Sequence, residues 1–120
     1  MTLSEPREDY LENLLILETR SGGFVRQEDM ASRMGFSKAS ISKAMSSLSA
    51  EGYVEFRPRG LVRLSNGGRK IAERVYDRHC FFFKVLTNLG IPTEIAQRDA
   101  CRMEHAMSEE SYQALKKELS

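Results

Sequence analysis

The residues best suited to chemistry lie late in the chain, in Cys101-Arg-Met-Glu-His105. On a helix, Glu104 follows Cys101 by three residues and His105 by four, so the three side chains point to one side. A soft thiolate, a hard carboxylate and a borderline imidazole together suit a first-row transition ion better than Ca²⁺ or Mg²⁺. The chain's other histidine, His79, stands where a second helix could carry it to the same place. Two acids near the start, Asp9 and Glu12, share a helical face, with Glu5 and Glu8 nearby. Plainer readings stand beside these: a surface Glu-His pair near a buried cysteine, and an ordinary solvated acidic face.

The elements that must hold these residues come from a chain of 120 residues, 41% apolar and 29% charged. That is a soluble, globular balance at about one domain's length. No run of about 18 apolar residues offers a membrane span. The opening Met-Thr-Leu-Ser-Glu-Pro-Arg-Glu-Asp is too acidic for a secretory signal. The expected location is therefore the cytoplasm, where Cys80 and Cys101 are thiols and not a disulfide. A net charge of +1 hides an uneven distribution: −4 over residues 1–19, +6 over 20–74 and −1 over 75–120. A basic middle between acidic ends points to a polyanion-binding segment.

Asp9 and Glu12 fall on a first helix that Ser4 caps, with Glu5 and Pro6 in its first turn and Ser21-Gly22-Gly23 as its stop. Its apolar stripe is Tyr10, Leu11, Leu14, Leu15 and Leu17. A short second helix over 27–34 turns Met30, Ala31 and Met34 inward. Gly35 ends it, Phe36 is expected as a buried plug, and Ser37 caps a third helix over 38–51. Ile41, Met45 and Leu48 face the core there. The opposite face shows Lys38, Ser40, Ser42, Lys43, Ser46 and Ser47, slim enough for a DNA major groove.

Two short helices joined by a glycine-containing turn form a helix-turn-helix pattern, with a plain helical hairpin as the alternative. The next segment decides between them. Tyr53-Val-Glu-Phe56 alternates as a strand, Arg57-Pro-Arg-Gly60 turns, and Leu61-Val-Arg-Leu64 returns. A basic-tipped hairpin directly after a helix-turn-helix makes a winged helix. The DNA-facing set is Arg26, Ser37, Lys38, Ala39, Ser40, Ser42, Lys43, Arg57 and Arg59, with Arg63 as a further phosphate contact.

Ser65 caps a long fourth helix reaching Leu89, with Gly67 and Gly68 implying close backbone packing in its first turn. Its seam is Ile71, Val75, Phe82, Val85, Leu86 and Leu89. Phe81, Phe82 and Phe83 cover too much of the circumference for one core face, which suggests a second subunit. His79 lies on this helix, with an ordinary half-buried histidine as the bland reading. Gly90-Ile-Pro92 breaks the chain, Thr93 caps a fifth helix carrying Cys101, Glu104 and His105, and Ser108 caps a last helix with Tyr112, Leu115 and Leu119. The expected fold is mainly α: a winged helix-turn-helix over 1–64, then a helical metal-binding and dimerisation domain over 65–120.

The chain resembles the iron- and manganese-dependent transcriptional repressors, the family of the diphtheria toxin repressor and the manganese transport regulator. The likeness runs from about Glu8 to Glu110. It rests on Glu8-Asp-Tyr-Leu-Glu12, Ser37-Lys-Ala-Ser-Ile-Ser42, Glu51-Gly-Tyr-Val-Glu55, Arg59-Gly-Leu-Val-Arg-Leu64, Arg78-His79 and Ala100-Cys-Arg-Met-Glu-His105. The resemblance implies that Asp9, Glu12, His79, Glu104 and His105 stand at ligand positions of the manganese branch. Cys101 stands where the iron branch has a cysteine, and Asp9 where that branch has a methionine. Phe83 and Gln97 occupy ligand positions of the iron branch's ancillary site, so one ion per subunit is the simpler expectation, although Glu12 and His79 could help build a second site. The sequence ends before the SH3-like third domain of many iron-type members, so a two-domain form is expected.

The implied function is a homodimeric repressor that binds palindromic operator DNA when loaded with Fe²⁺ or Mn²⁺ and controls metal-uptake genes. Zn²⁺, Co²⁺ or Ni²⁺ could substitute in vitro, and the Cys101 thiolate tilts the choice towards Fe²⁺. One ion joining the first helix, the fourth helix and the Cys-Glu-His segment would set the spacing of two reading heads to match successive major grooves, about 34 Å apart. The competing readings are a winged-helix regulator without metal response and a small metalloenzyme with Glu12 or Glu104 as general base. The second lacks a nucleophile elbow or a glycine-rich phosphate loop, and no membrane or small-molecule partner is expected.

Overall fold

A computed structural model describes residues 3–119. The elements are α1 (Glu5–Ser21), α2 (Gln27–Met34), α3 (Lys38–Ala50), β1 (Val54–Arg57), a 3₁₀ turn (Pro58–Gly60), β2 (Leu61–Leu64), α4 (Asn66–Asn88), α5 (Thr93–Met103) and α6 (Glu109–Leu119). The chain divides into two compact units, Met1–Glu73 and Arg74–Ser120. No helix among the described residues is long and apolar enough to cross a membrane.

The first unit is a three-helix head with a two-stranded wing. Leu11, Leu14, Met30, Ile41, Met45, Leu48, Val54, Val62 and Leu64 are buried together, each contributing about 1.5–3 kcal/mol by leaving water. Ser37 caps α3 as its sequence promises, its Oγ accepting from Ser40 N at 3.1 Å, a contact worth about 1 kcal/mol. Ser4 occupies the N-cap position of α1 but its side chain makes no cap bond. Gly35 ends α2 in the left-handed conformation at φ 72°. Phe36, expected as a buried plug, is 47% exposed. Its backbone N–H closes the helix end on Ala31 O at 3.1 Å, and its ring rests against Tyr10 at 5.9 Å. Helix-end hydrogen bonding, not burial, fixes that residue.

In the wing, β1 pairs antiparallel with β2, Val54 opposite Leu64 and Phe56 opposite Val62. Val25 adds an isolated bridge to Val62, with bonds of 2.8 and 2.9 Å in both directions, a third pairing that the sequence pattern does not announce. Val54 faces the core while Phe56, on the same face, is 41% exposed, because the core ends before the wing tip. At that tip Arg59 has φ 67° and ψ 26°, the one non-glycine residue with positive φ among the described residues.

The start of α4 is bound to this head. A Cβ on Gly68 would stand 2.0 Å from the Tyr53 carbonyl oxygen, so only glycine fits, whereas Gly67 has no such crowding. Ser65 Oγ accepts from Gly68 N at 3.1 Å and its hydroxyl donates to Gly52 O at 2.6 Å. Buried Glu18 accepts from Leu64 N at 3.0 Å and from Arg69 at 2.7 Å, which satisfies a charge that would otherwise be costly to bury.

The second unit packs α4, α5 and α6 around Phe82, Ala100 and Tyr112. Phe81 meets Phe82 and Tyr112 edge-on at 5.3 and 5.5 Å. Phe82 is buried in this unit, whereas Phe81 and Phe83 are only partly buried beside it. Its expected seam is shorter than the sequence suggests: Val75 and Phe82 are buried, Val85 and Leu86 half-buried, and Leu89 is 74% exposed just beyond the helix end. Asp77 accepts from Tyr112 Oη at 2.5 Å and from Lys116 at 2.9 Å. Burial opposes its charge, but those two bonds hold the Asp77 carboxyl below the usual carboxylate range. Burial and the Asp77 carboxylate push the Tyr112 phenol up. Pro92 and not Thr93 is the N-cap of α5, since the proline's extended backbone starts the helix one residue early. Ser108 caps α6 as expected, accepting from Ser111 N at 3.1 Å.

Candidate metal centre and DNA-facing surface

In the second unit α4 presents His79, and the end of α5 presents Cys101, Glu104 and His105. The helix stops at Met103, so Glu104 and His105 lie beyond it and are not carried on it as the sequence suggests. Their common direction survives because Glu104 keeps right-handed angles at the C-cap, with its N–H bonded to Ala100 O at 3.0 Å. Arg78 secures this corner. Its buried guanidinium donates to the carbonyls of Glu104 at 3.3 Å and Met107 at 2.8 Å, to Glu109 Oε1 at 2.9 Å, and lies 4.9 Å above the Tyr112 ring. The Glu104 carbonyl stands at the α5 C-cap and the Met107 carbonyl in the turn before α6, and one cation serves both. Sequence reasoning quotes Arg78 only as the neighbour of His79; a role spanning about thirty positions leaves no local pattern.

His79 Nδ1 is 3.1 Å from Glu104 Oε2 and 3.7 Å from Cys101 Sγ. His105 Nε2 is 3.2 Å from Glu104 Oε1. The other ring nitrogen of His79 faces Gln97 Oε1 at 2.6 Å. The Cys101 sulfur and the Glu104 carboxylate raise the His79 imidazole to about 11, against the opposing effect of burial. This corner therefore holds a proton between a nitrogen, a sulfur and a carboxylate oxygen, and a cation can replace it.

One ligand atom each from His79, Cys101 and Glu104 lie within 4.8 Å of one another. Two donors on one transition ion stand at most about 4.6 Å apart, given bonds of about 2.0–2.3 Å. The group therefore needs little closing, and its nitrogen, sulfur and oxygen atoms fit a first-row transition ion. Asp9 and Glu12 stand on α1 of the first unit, three residues apart and so on neighbouring positions of one face.

On the head, Ser37, Lys38, Ala39, Ser40, Ser42 and Lys43 are all exposed at the start of α3. Arg26, Lys38, Ser42 and Arg59 line a cleft of about 340 Å³ together with Gln27, Glu28 and Gly60. Gln27 was not anticipated: its Nε2 donates to Gly60 O at 2.8 Å and ties α2 to the wing tip. Glu28 was not anticipated either, and it pairs with Arg26 at 3.3 Å and Lys38 at 3.6 Å. Arg57 and Arg63 each lie 5.0 Å over the Phe24 ring, and Arg63 also pairs with Glu55 at 2.7 Å. The wing's base is braced, while Arg59 projects from its tip.

The family model described as "Iron dependent repressor, N-terminal DNA binding domain" matches residues 2–62. That described as "Iron dependent repressor, metal binding and dimerisation domain" matches residues 65–120. "Transcriptional regulator MntR" of Escherichia coli O6:H1 is 38% identical over 109 residues, covering 91% of this chain and 70% of its own length. Among solved structures, the manganese regulator SloR aligns with a TM-score of 0.81 at 25% identity, over 99% of this chain. ScaR with bound Zn²⁺ aligns with a TM-score of 0.75 at 25% identity, over 94% of this chain. The chain spans about half the length of these two, 54% and 53%.

Proposed function

We propose a function on this premise: the chain belongs to the iron-dependent repressor family, whose members are metal-binding, DNA-binding transcriptional regulators and not enzymes. In our reading it is a cytoplasmic homodimeric repressor that grips a palindromic operator when loaded with Fe²⁺ or Mn²⁺. Residues 1–64 read DNA, and residues 65–120 bind metal and dimerise. The observation that carries the metal half is the meeting of His79, Cys101 and Glu104 within one unit.

His79 Nδ1, Cys101 Sγ and a Glu104 oxygen form the core of the ligand set, with His105 beside Glu104. Asp9 and Glu12 supply harder oxygen donors from α1, as the resemblance implies. Bound metal supplies positive charge that several anionic donors can share. Cys101 favours Fe²⁺ over Mn²⁺, because thiolate prefers the softer ion. Arg78 holds the Glu104 backbone in place, so the carboxylate meets the site without losing freedom at the moment of binding. Metal raises affinity for DNA only as far as it favours the DNA-competent arrangement of the dimer.

At the DNA, Ser37, Lys38, Ala39, Ser40, Ser42 and Lys43 enter the major groove. Arg26, Arg57 and Arg59 meet the flanking phosphates. The test is fluorescence anisotropy on duplexes selected from a random pool by the metal-loaded protein, repeated with chelator, Fe²⁺ and Mn²⁺ under anaerobic conditions. Tight binding only with metal, lost in Cys101→Ser and His105→Ala, is expected. Equal affinity with and without metal would leave a DNA-binding regulator and remove the metal response.

A further inference from the structure

His79 is held from both ring nitrogens. Nδ1 faces the donor cluster, with Glu104 Oε2 at 3.1 Å and Cys101 Sγ at 3.7 Å. Nε2 points the other way, 2.6 Å from Oε1 of Gln97. A neutral imidazole carries one N–H, and only its bare nitrogen can bind a cation. An amide oxygen has no hydrogen to give. Bonded to it, Nε2 keeps its proton, so the nitrogen that a metal ion can take is Nδ1, aimed at Cys101 and Glu104.

Two rings stacked near His79 bear on the same choice. Tyr76 and Phe83, on the preceding and following turns of α4, lie 6.5 and 6.4 Å away with planes 12° and 6° from its own. With the ring plane constrained from its own helix, the undecided variable is which nitrogen carries the proton. Gln97 comes one turn before Cys101 on α5, so one helical face delivers both a ligand and the acceptor that orients the neighbouring ligand.

We propose that Gln97 is a positioning residue: by accepting the Nε2 proton of His79 it selects the tautomer whose Nδ1 meets the ion held by Cys101 and Glu104. The resemblance treats Gln97 as a vacated ligand position; here the amide serves the remaining site from behind. Phe83, at the other vacated position, supports the ring by stacking. The inference rests on the metal-binding reading above and adds to it a residue that touches no metal.

The experiment uses the full chain loaded with Zn²⁺, which is diamagnetic, with ¹⁵N-labelled histidine. The expected spectrum shows His79 protonated at Nε2, with a slowly exchanging proton, and coordinated through Nδ1. Gln97→Leu should lose that slow exchange and weaken Zn²⁺ binding about 10–100-fold, as loss of an outer partner does, without lowering the melting temperature of the metal-free protein. Gln97→Glu, which keeps an acceptor, should restore both. Coordination through Nε2 in the parent protein would overturn the proposal. So would unchanged Zn²⁺ affinity and spectrum in Gln97→Leu while His79→Ala loses Zn²⁺, a result that leaves the metal reading standing. If His79→Ala also binds Zn²⁺ normally, His79 is no ligand and the proposal falls; the metal reading falls only if Cys101→Ser and His105→Ala bind normally too.

Discussion

Arg59 separates stability from binding. It holds φ 67° at the wing tip, a conformation that costs an L-residue about 1–2 kcal/mol. Replacement by glycine removes that strain but frees the unfolded chain, returning about 0.4–1 kcal/mol. The net expectation for Arg59→Gly is a head about 0.5–1 kcal/mol more stable. For DNA the sign reverses. One lost phosphate contact lowers the slope of log K against log salt by about 0.9, which at 0.15 M salt is about a fivefold loss and at 0.05 M about fifteenfold. Urea unfolding gives the first quantity, and anisotropy across a salt series gives the second. Arg59→Lys is the control, keeping both charge and strain, and should leave both readings near the parent. A destabilised Arg59→Gly with an unchanged salt slope would refute the reasoning, because the strained residue would then be serving the fold and not the phosphate.

Arg78→Leu should cost about 3–5 kcal/mol by urea unfolding, since the Glu104 and Met107 carbonyls lose a buried cation, whereas Glu109→Ala on the half-exposed arm should cost less than about 1 kcal/mol. Gly68→Ala drives a methyl into the Tyr53 carbonyl and should cost about 1–3 kcal/mol; a neutral result would mean that α4 slides freely on the wing. His79, raised to about 11, holds its proton at neutral pH, so metal must displace it. Apparent affinity should climb about tenfold per pH unit from pH 7 to 8, with calorimetry in buffers of different ionisation enthalpy reading at least one proton released. The sign for metal-free stability is opposite: the contribution of charged His79 is complete below about pH 6.5, the unfolded value, and disappears as pH rises through about 11. Absence of proton release would show that Nδ1 is not a donor.

The helices, the wing and the HTH turn were legible because each depends on local rules: periodic burial at Ile41, Met45 and Leu48, a capping Ser37, and a Pro-Gly turn between alternating strands. Errors fall where distant partners decide. Phe36 and Leu89 look like core residues by type, yet the packed interior does not reach them. At the site, residue types were readable but their supports were not. Gln97 reads as a missing ligand until its oxygen is seen against His79, and Arg78 reads as one charge among eighteen. For Asp9 and Glu12 spacing alone left a solvated face, and only the family resemblance implies a ligand role for them.

The bonds at the root of α4 have a practical corollary for dissecting this protein. Glu18 is neutralised by Arg69, and Gly68 nestles under Tyr53, so the first two turns of that helix serve the head as a buttress. A DNA-reading fragment cut after Leu64 would strand a buried carboxylate and uncover the strand beneath it. One carried through Glu73 keeps the brace intact, and the natural place to divide the molecule lies within a helix and not before it.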